Sequence, residues 1–339
     1  MKSIKKIAAL ALSCAMAGMS LTGCGSTGSD TAETTAAGGA ADASAEGQVY
    51  NIGICQLVEH EALDMATEGF QAALKEKLGE GNVTFDVQNA QGESTNCATI
   101  CSGFVSSDYD LILANATAAL QSAAAATASI PVVGTSITDY ATALDIDDWT
   151  GKTGTNITGT SDLAPIEQQE DMLLEMFPSP KQVGILYCSA EPNSKYQAEK
   201  FIEALEADGI AYKEYTAADT NEIQSVTTTA VGECDVIYVP TDNTMASSTE
   251  VVKNVAVPAG VPIIAGEAST CSGCGVATLS ISYYDLGYTA GEMAYEILVN
   301  GKNPGDMDIQ FAPQVTKMYN ASICEELGIT PPEGYSPIE

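Results

Sequence analysis

From residue 49 onward, short apolar runs alternate with longer stretches in which apolar residues recur every three or four positions. Short apolar runs bounded by turn residues predict strands buried on both faces, and the longer spacing predicts amphipathic helices. In the first half the pattern predicts strands over 49–55, 83–88, 110–114 and 131–135, with helices over 62–78, 94–105 and 117–128. In the second half it predicts strands over 182–187, 212–215, 234–239, 262–265 and 276–280, with helices over 196–208, 222–231 and 249–256. A late helix over 285–298 has the apolar spacing of a packing helix and is expected to return to the first domain.

The halves repeat one another in outline. Gly53, Ile54 and Cys55 open one, and Gly184, Ile185 and Leu186 open the other. Leu111–Leu113 and Val236–Tyr238 each precede a small-polar loop, and Ile130-Pro131 and Val261-Pro262 each enter a fourth strand. Strand–helix alternation implies parallel sheets built from right-handed crossovers. The expected fold class is therefore α/β, with two doubly wound parallel-sheet domains joined by a hinge and a ligand cleft between them. The lobes are expected over 49–157 plus 284–312, and over 158–283 plus 313–339.

The N-terminus reads differently. Lys2, Lys5 and Lys6 precede an apolar run from Ile7 to Met19, too short to span a bilayer comfortably, as in a secretory signal over 1–23. Leu21-Thr22-Gly23-Cys24 resembles the lipobox of bacterial lipoproteins, which implies lipidation at Cys24 and an extracytoplasmic protein anchored to the membrane. The tether, 24–48, is Gly, Ser, Thr and Ala with scattered acids, and its residues after Cys24 include no large hydrophobe to bury.

Composition narrows the function. The 339 residues carry 45 acids against 13 bases, a net charge of −32; all 13 bases are lysine, and there is one histidine, His60. Such a chain repels phosphate backbones, which argues against nucleic-acid binding. Without arginine, bidentate clamps for a ligand carboxylate are unavailable, and one histidine excludes a two-His metal site. Any triad would have to use His60, and no GxSxG or metal motif is present. The chain is read as a monomer and not as an enzyme, with no cofactor and no metal. Of the ten cysteines, eight lie beyond Cys24. They are read as buried thiols with room for one disulfide. A zinc site from Cys97, Cys101, Cys271 and Cys274 is the competing reading, and Cys271–Cys274 is expected in a Gly/Ser-rich loop.

Several segments carry a family resemblance. They include His60–Asp64, Asn89–Gly92, Ala114–Thr117, Thr158–Asp162, Glu191–Ser194, Pro240–Asn243, Gly266-Glu267 and Tyr284–Gly291. In this order they resemble the substrate-binding lipoproteins of ABC transporters of the tryptophan/tyrosine-binding type. The resemblance implies a type I periplasmic-binding fold, an aromatic amino acid as ligand, and ABC permease and ATPase subunits as partners. A sugar or nucleoside on the same fold, and an envelope enzyme, are the alternatives. One departure is Ala118, where the family often has Pro.

An amino acid needs a carboxylate site and an ammonium site. Without arginine, the carboxylate falls to a helix N-terminus and hydroxyls, which points to Thr117, Ala118 and Ser136. The ammonium calls for an acid at a strand end: Asp242 or Glu267. Asn193 and Ser194 are a further polar pair there, His60 opens the first helix, and Tyr283 is a candidate wall. Ordinary helix capping is the competing role for Thr117, Asn193 and Asp242. If the lipobox reading holds, Cys24→Ala releases the protein from the membrane fraction with ligand affinity unchanged; partition of the variant into detergent would refute it.

Overall fold

In the computed structural model the described residues are 48–338; the expected signal, the tether and Cys24 lie outside them. The first lobe begins with β1 (Tyr50–Gln56), α1 (Glu61–Leu78), β2 (Val83–Asn89), α2 (Ser94–Ser106), β3 (Leu111–Asn115) and α3 (Thr117–Ala126). It continues with β4 (Val132–Ile137), α4 (Tyr140–Leu144) and β5 (Ile157–Ser161). The second lobe runs through α5 (Ile166–Met176), β6 (Val183–Cys188), α6 (Pro192–Ala207), β7 (Tyr212–Ala217), α7 (Ile223–Val231) and β8 (Val236–Val239). Then come α8 (Asn243–Ala246), α9 (Thr249–Ala259), β9 (Ile263–Ala265), α10 (Ala268–Cys274) and β10 (Ala277–Ser280). The chain returns to the first lobe with α11 (Tyr283–Leu298) and β11 (Gln310–Phe311), and ends in the second with β12 (Thr316–Tyr319), α12 (Ala321–Leu327) and β13 (Ser336–Pro337).

Sheet order is β11-β5-β4-β3-β1-β2 in the first lobe and β13-β12-β10-β9-β8-β6-β7 in the second. Within each, the first five strands stand in the same relative order, 5-4-3-1-2, all parallel. The duplication read from the sequence is thus a duplication of topology. The central strands β3, β4, β6 and β8 are buried along their whole length, as strands covered by helices on both faces must be.

Three differences from the expected pattern have physical causes. Ile157–Ser161 alternates with Thr and Gly and has no apolar run, yet it is the fifth strand of the first sheet, so the first crossing between lobes follows Ser161, not residue 157. α6 starts at Pro192, four residues before the expected 196, because proline at a first helical position loses no internal hydrogen bond. Cys271 and Cys274 are not in a loop: they lie on α10, which Glu267 caps by accepting from the Ser269 and Thr270 amides.

The eight described cysteines are all free and buried. Cys97 and Cys101 belong to the first-lobe core and Cys274 to the second, so the four-cysteine grouping is not assembled. They pack as small hydrophobes instead.

The α11 helix seals the first lobe. It lies so close to α1 that a Cβ added at Gly287 would stand 1.9 Å from the Ala66 carbonyl oxygen, and one at Gly69 would stand 2.1 Å from that of Tyr284. Ala290, Ala294 and Ile297 join Phe70 and Leu74 in the core behind β1 and β3. Gly287→Ala should therefore force the helices apart and lower stability by about 1–3 kcal/mol. A thermal melt checks this, and an unchanged melting temperature would contradict the packing account.

Candidate functional site

The carboxyl ends of the two sheets face each other. In the first lobe, three residues at these ends adopt left-handed backbone conformations without being glycine: Gln91 at φ 57°, Ala116 at φ 86° and Ser136 at φ 57°. Ser136 sits where the β4–β5 register slips between Gly134 and Ile137, a bulge that re-aims the chain. Strain of this kind persists only where the surroundings hold it, and it gathers at binding sites. Ala116 precedes α3, which starts at Thr117 although Ala118 stands where the resembling proteins often have Pro. Thr117 and Ser136 are both buried, and the Ser136 hydroxyl has no partner. The Asn115 side-chain oxygen, at the end of β3, is also unpartnered. His60 precedes α1; its Nδ1 is buried without a partner, while Nε2 lies 3.2 Å from the Asn243 side-chain oxygen across the cleft.

The second lobe answers with capping acids. Asp242 accepts from the Met245 amide (2.8 Å), capping α8, and from the Cys188 amide (2.6 Å), pinning the end of β6. Its expected competing role as a helix cap is therefore occupied. Glu191 accepts from the Asn243 and Thr244 amides and from the side chains of Asn193, Asn243 and Thr244. Asn193 and Ser194 also lie within hydrogen-bond reach of the Thr241 carbonyl. Glu267 caps α10 and takes the hydroxyls of Ser269 and Thr270 as well.

Sequence reasoning alone does not single out Asp162, which stands directly after β5. It is fully buried and accepts from Thr138 (3.0 Å) and Tyr283 (3.0 Å). Thr138 in turn receives a hydrogen bond from Gln197 of α6 (3.1 Å), whose amide also reaches the Thr241 carbonyl (3.1 Å). This run connects the ends of β4, β5 and β8 to the start of α11. A signal was present in the sequence, an acid five residues past the expected lobe boundary at 157.

Burial sets the electrostatics. Desolvation, with Glu191 beside it, pushes the Asp242 carboxyl up to about 8 against the pull of its two amide donors. Asp162 is raised to about 6, mainly by burial and also by Glu267, while Tyr283 and Thr138 oppose the rise. Tyr283 is itself held well above the ordinary phenol range by burial and by Asp162.

Between the lobes lies a cavity of about 280 Å³, bounded by Leu57, Val58 and Ala118 on one side and Glu191, Asn243 and Thr244 on the other. A smaller one, about 130 Å³, is bounded by Met65, Glu267 and Tyr283. No lysine lines either, and the ion pairs among the described residues lie on the solvent-facing surface. The structure thus gathers Asp242, Asn193 and Ser194 in one network. It places Glu267 beside Tyr283 and sets His60 against Asn243. It leaves Thr117, Ala118 and Ser136 on the facing edge without a bond to those groups.

Two lobes of like topology that meet over an acid-lined polar cavity define a solute receptor. The chain belongs to the ABC transporter substrate-binding protein family, whose model matches residues 51–336. It is 38% identical to a tyrosine-binding protein of Clostridioides difficile (strain R20291) over 261 residues, 76% of this chain and 75% of that protein. Among solved structures, an ABC domain in complex with L-Trp from Streptococcus pneumonia superposes with a TM-score of 0.81 at 33% identity, over 86% of this chain and 100% of that one. The ligand-free, open structure of a substrate-binding protein with adhesive properties from Clostridium difficile gives 0.66 at 36% identity, over 86% and 99%. At equal coverage the lobes match the ligand-bound relative better than the open one, in keeping with the bonds that cross the cleft here. The protein is the substrate-binding component of an ABC transporter. Among the described residues no helix is long and apolar enough to cross a membrane.

The raised acids make a pH prediction. A carboxyl whose folded pKa lies above its unfolded value of about 4 holds its proton longer in the folded state, so stability falls as pH rises between the two values. The melting temperature of ligand-free protein should therefore fall from pH 5 to pH 8, and Asp242→Asn should flatten that fall. A wild-type curve level or rising over this window would refute the buried-acid account.

Proposed function

We propose that the protein captures an aromatic L-amino acid in the interlobe cleft and hands it to an ABC permease and its ATPase. The observation that carries this is the charge pattern of the cleft: buried carboxyls from the second lobe and the crossing segment, facing a helix start and an unpartnered hydroxyl, with no lysine in the cavity lining. A zwitterion fits that polarity. Its ammonium is received by Asp242, with Asp162 and Glu267 close behind, and its presence favours the ionised form that burial opposes. Its carboxylate rests on the α3 N-terminus at Thr117 and Ala118, with the Ser136 hydroxyl. His60, Asn193, Ser194 and Tyr283 border the side chain and the rim. The cavity of about 280 Å³ is just below the ~300–1,000 Å³ of drug-sized pockets, which suits a single amino acid. The aromatic preference is supported by the tyrosine-binding relative and the L-Trp complex. We place the head outside the cytoplasm on a lipid at Cys24, with lobes divided as the three chain crossings suggest.

Calorimetry with L-tyrosine, L-tryptophan, L-leucine and glucose tests the reading. Aromatic amino acids should bind, with proton release at pH 7 as Asp242 ionises, detected by comparing two buffers of different ionisation enthalpy. Asp242→Asn should weaken binding by about 2–5 kcal/mol, roughly 30-fold to several-thousand-fold. Thr117→Ala should cost about 0.5–1.5 kcal/mol, since the neighbouring amides remain. Near-normal affinity in both Asp242→Asn and Asp162→Asn would sink the ammonium assignment, and binding of glucose alone would sink the ligand class.

A further inference from the structure

Away from the cleft, a groove of about 550 Å³ lies between α5 and α6 of the second lobe. Its rim starts at Leu163, Ala164 and Pro165, the segment that carries the chain from the first sheet to the second. Tyr196, Lys200, Ala204 and Ala207 line it at spacings of four, four and three, a single face of α6. Facing them, α5 contributes Ile166, Glu170 and Asp171, and Asp208 closes one end.

Glu170 has no counterpart in the cleft network. It is only 3% exposed, and its Oε1 is buried without a hydrogen-bond partner. It is the one carboxylate among the described buried side-chain atoms left in that state, whereas Asp162, Glu191, Asp242 and Glu267 are all donated to. The lysine in the groove does not serve it, because the Lys200 ammonium is held by Glu203 at 2.8 Å. Burial, with Asp208 and Asp171 nearby, pushes the Glu170 carboxyl up to about 7. A buried carboxyl without a donor is costly, and native proteins rarely leave one unmatched.

We propose that this groove is a second ligand site, taking a small organic ammonium with an apolar body whose N–H groups satisfy Glu170 Oε1. The apolar stretch of Leu163, Ile166 and Ala204 accommodates the body, and the acids at the rim favour a cation. A bare metal ion does not fit the donor set: no group of three or more acid, thiol or imidazole ligands is close enough to hold one among the described residues. A zwitterionic amino acid does not fit either, because its carboxylate would lie among Glu167, Asp171 and Asp208 with no free base. The site therefore selects an amine lacking a carboxylate, a chemical class distinct from the cleft's solute, and it does not rest on the cleft reading.

The test uses the protein at pH 8, where Glu170 is largely ionised, both without added solute and with excess L-tyrosine, and titrates n-pentylamine hydrochloride by ligand-observed NMR and calorimetry. Pentylamine should bind at below about 10 mM, and n-pentanol and pentanoate at least about tenfold more weakly. Glu170→Gln should weaken pentylamine at least about tenfold and leave L-tyrosine affinity unchanged; it removes an unpaired buried charge, so its melting temperature should not drop. Ala204→Leu, which narrows the groove without touching Glu170, should weaken pentylamine as well and decides the matter if Glu170→Gln fails to fold. No pentylamine binding to the wild type up to 10 mM overturns the proposal, as does full pentylamine affinity in the variants that fold.

Discussion

The interaction on which the arrangement of the two lobes turns is the pair of hydrogen bonds that Thr138 and Tyr283 donate to Asp162. Asp162 stands where the chain leaves the first sheet, Thr138 follows β4, and Tyr283 opens the helix by which the chain comes back. Two of the crossings between lobes are thereby held against one carboxylate. Gln197 extends the contact into the second lobe and links the ends of three strands. Because the chain contains no arginine and the cavity no lysine, all of this is done with neutral donors. The buried carboxyls are met by hydroxyl and amide donors alone.

Capping acids also line the cavities: Glu191 borders the larger and Glu267 the smaller. Parallel sheets bring strand ends and helix starts to one edge, where amides lack internal partners. In the second lobe Glu191, Asp242 and Glu267 fill those positions. In the first lobe Asp139 caps α4 through the Thr142 amide and Asp162 follows β5, while small residues and hydroxyls stand at the ends of β3 and β4, with Ala116 and Ser136 held in left-handed backbone. The two edges thus present different residues although their topologies are alike.

Much of this was legible in the sequence. The apolar runs of β1, β3, β6 and β8 and the spacing of α1 and α6 were plain because burial on both faces leaves little freedom of composition. β5 was not, because Thr158, Gly159 and Thr160 are chosen for close packing against β4 and carry no hydrophobic signal. The short helices α8 and α10 were missed for a related reason: their stability comes from Asp242 and Glu267 as caps, and Thr270, Cys271 and Gly273 look like loop. Among site residues, Asp242 and Glu267 could be found from their position after strands. Their double duty could not, since which backbone amides converge on a carboxylate depends on loops from elsewhere, Cys188 among them. The importance of Asp162 likewise rests on partners 24 and 121 residues distant.

The partnership of α1 with α11 bears on how the chain acquires its structure. The Tyr288 hydroxyl bonds Glu76 across 212 residues, and Gly287 meets Ala66 over a similar span. The first lobe is thus first in sequence but cannot complete its core until most of the chain is present. Such separation raises contact order and slows folding. A nascent chain emerging N-terminus first would expose the bare α1 face and the apolar edge beside it for most of its synthesis or translocation, the condition under which chaperones are needed. The second lobe waits for the end of the chain as well, since β12 and β13 complete its sheet and Ile323 and Cys324 of α12 its core.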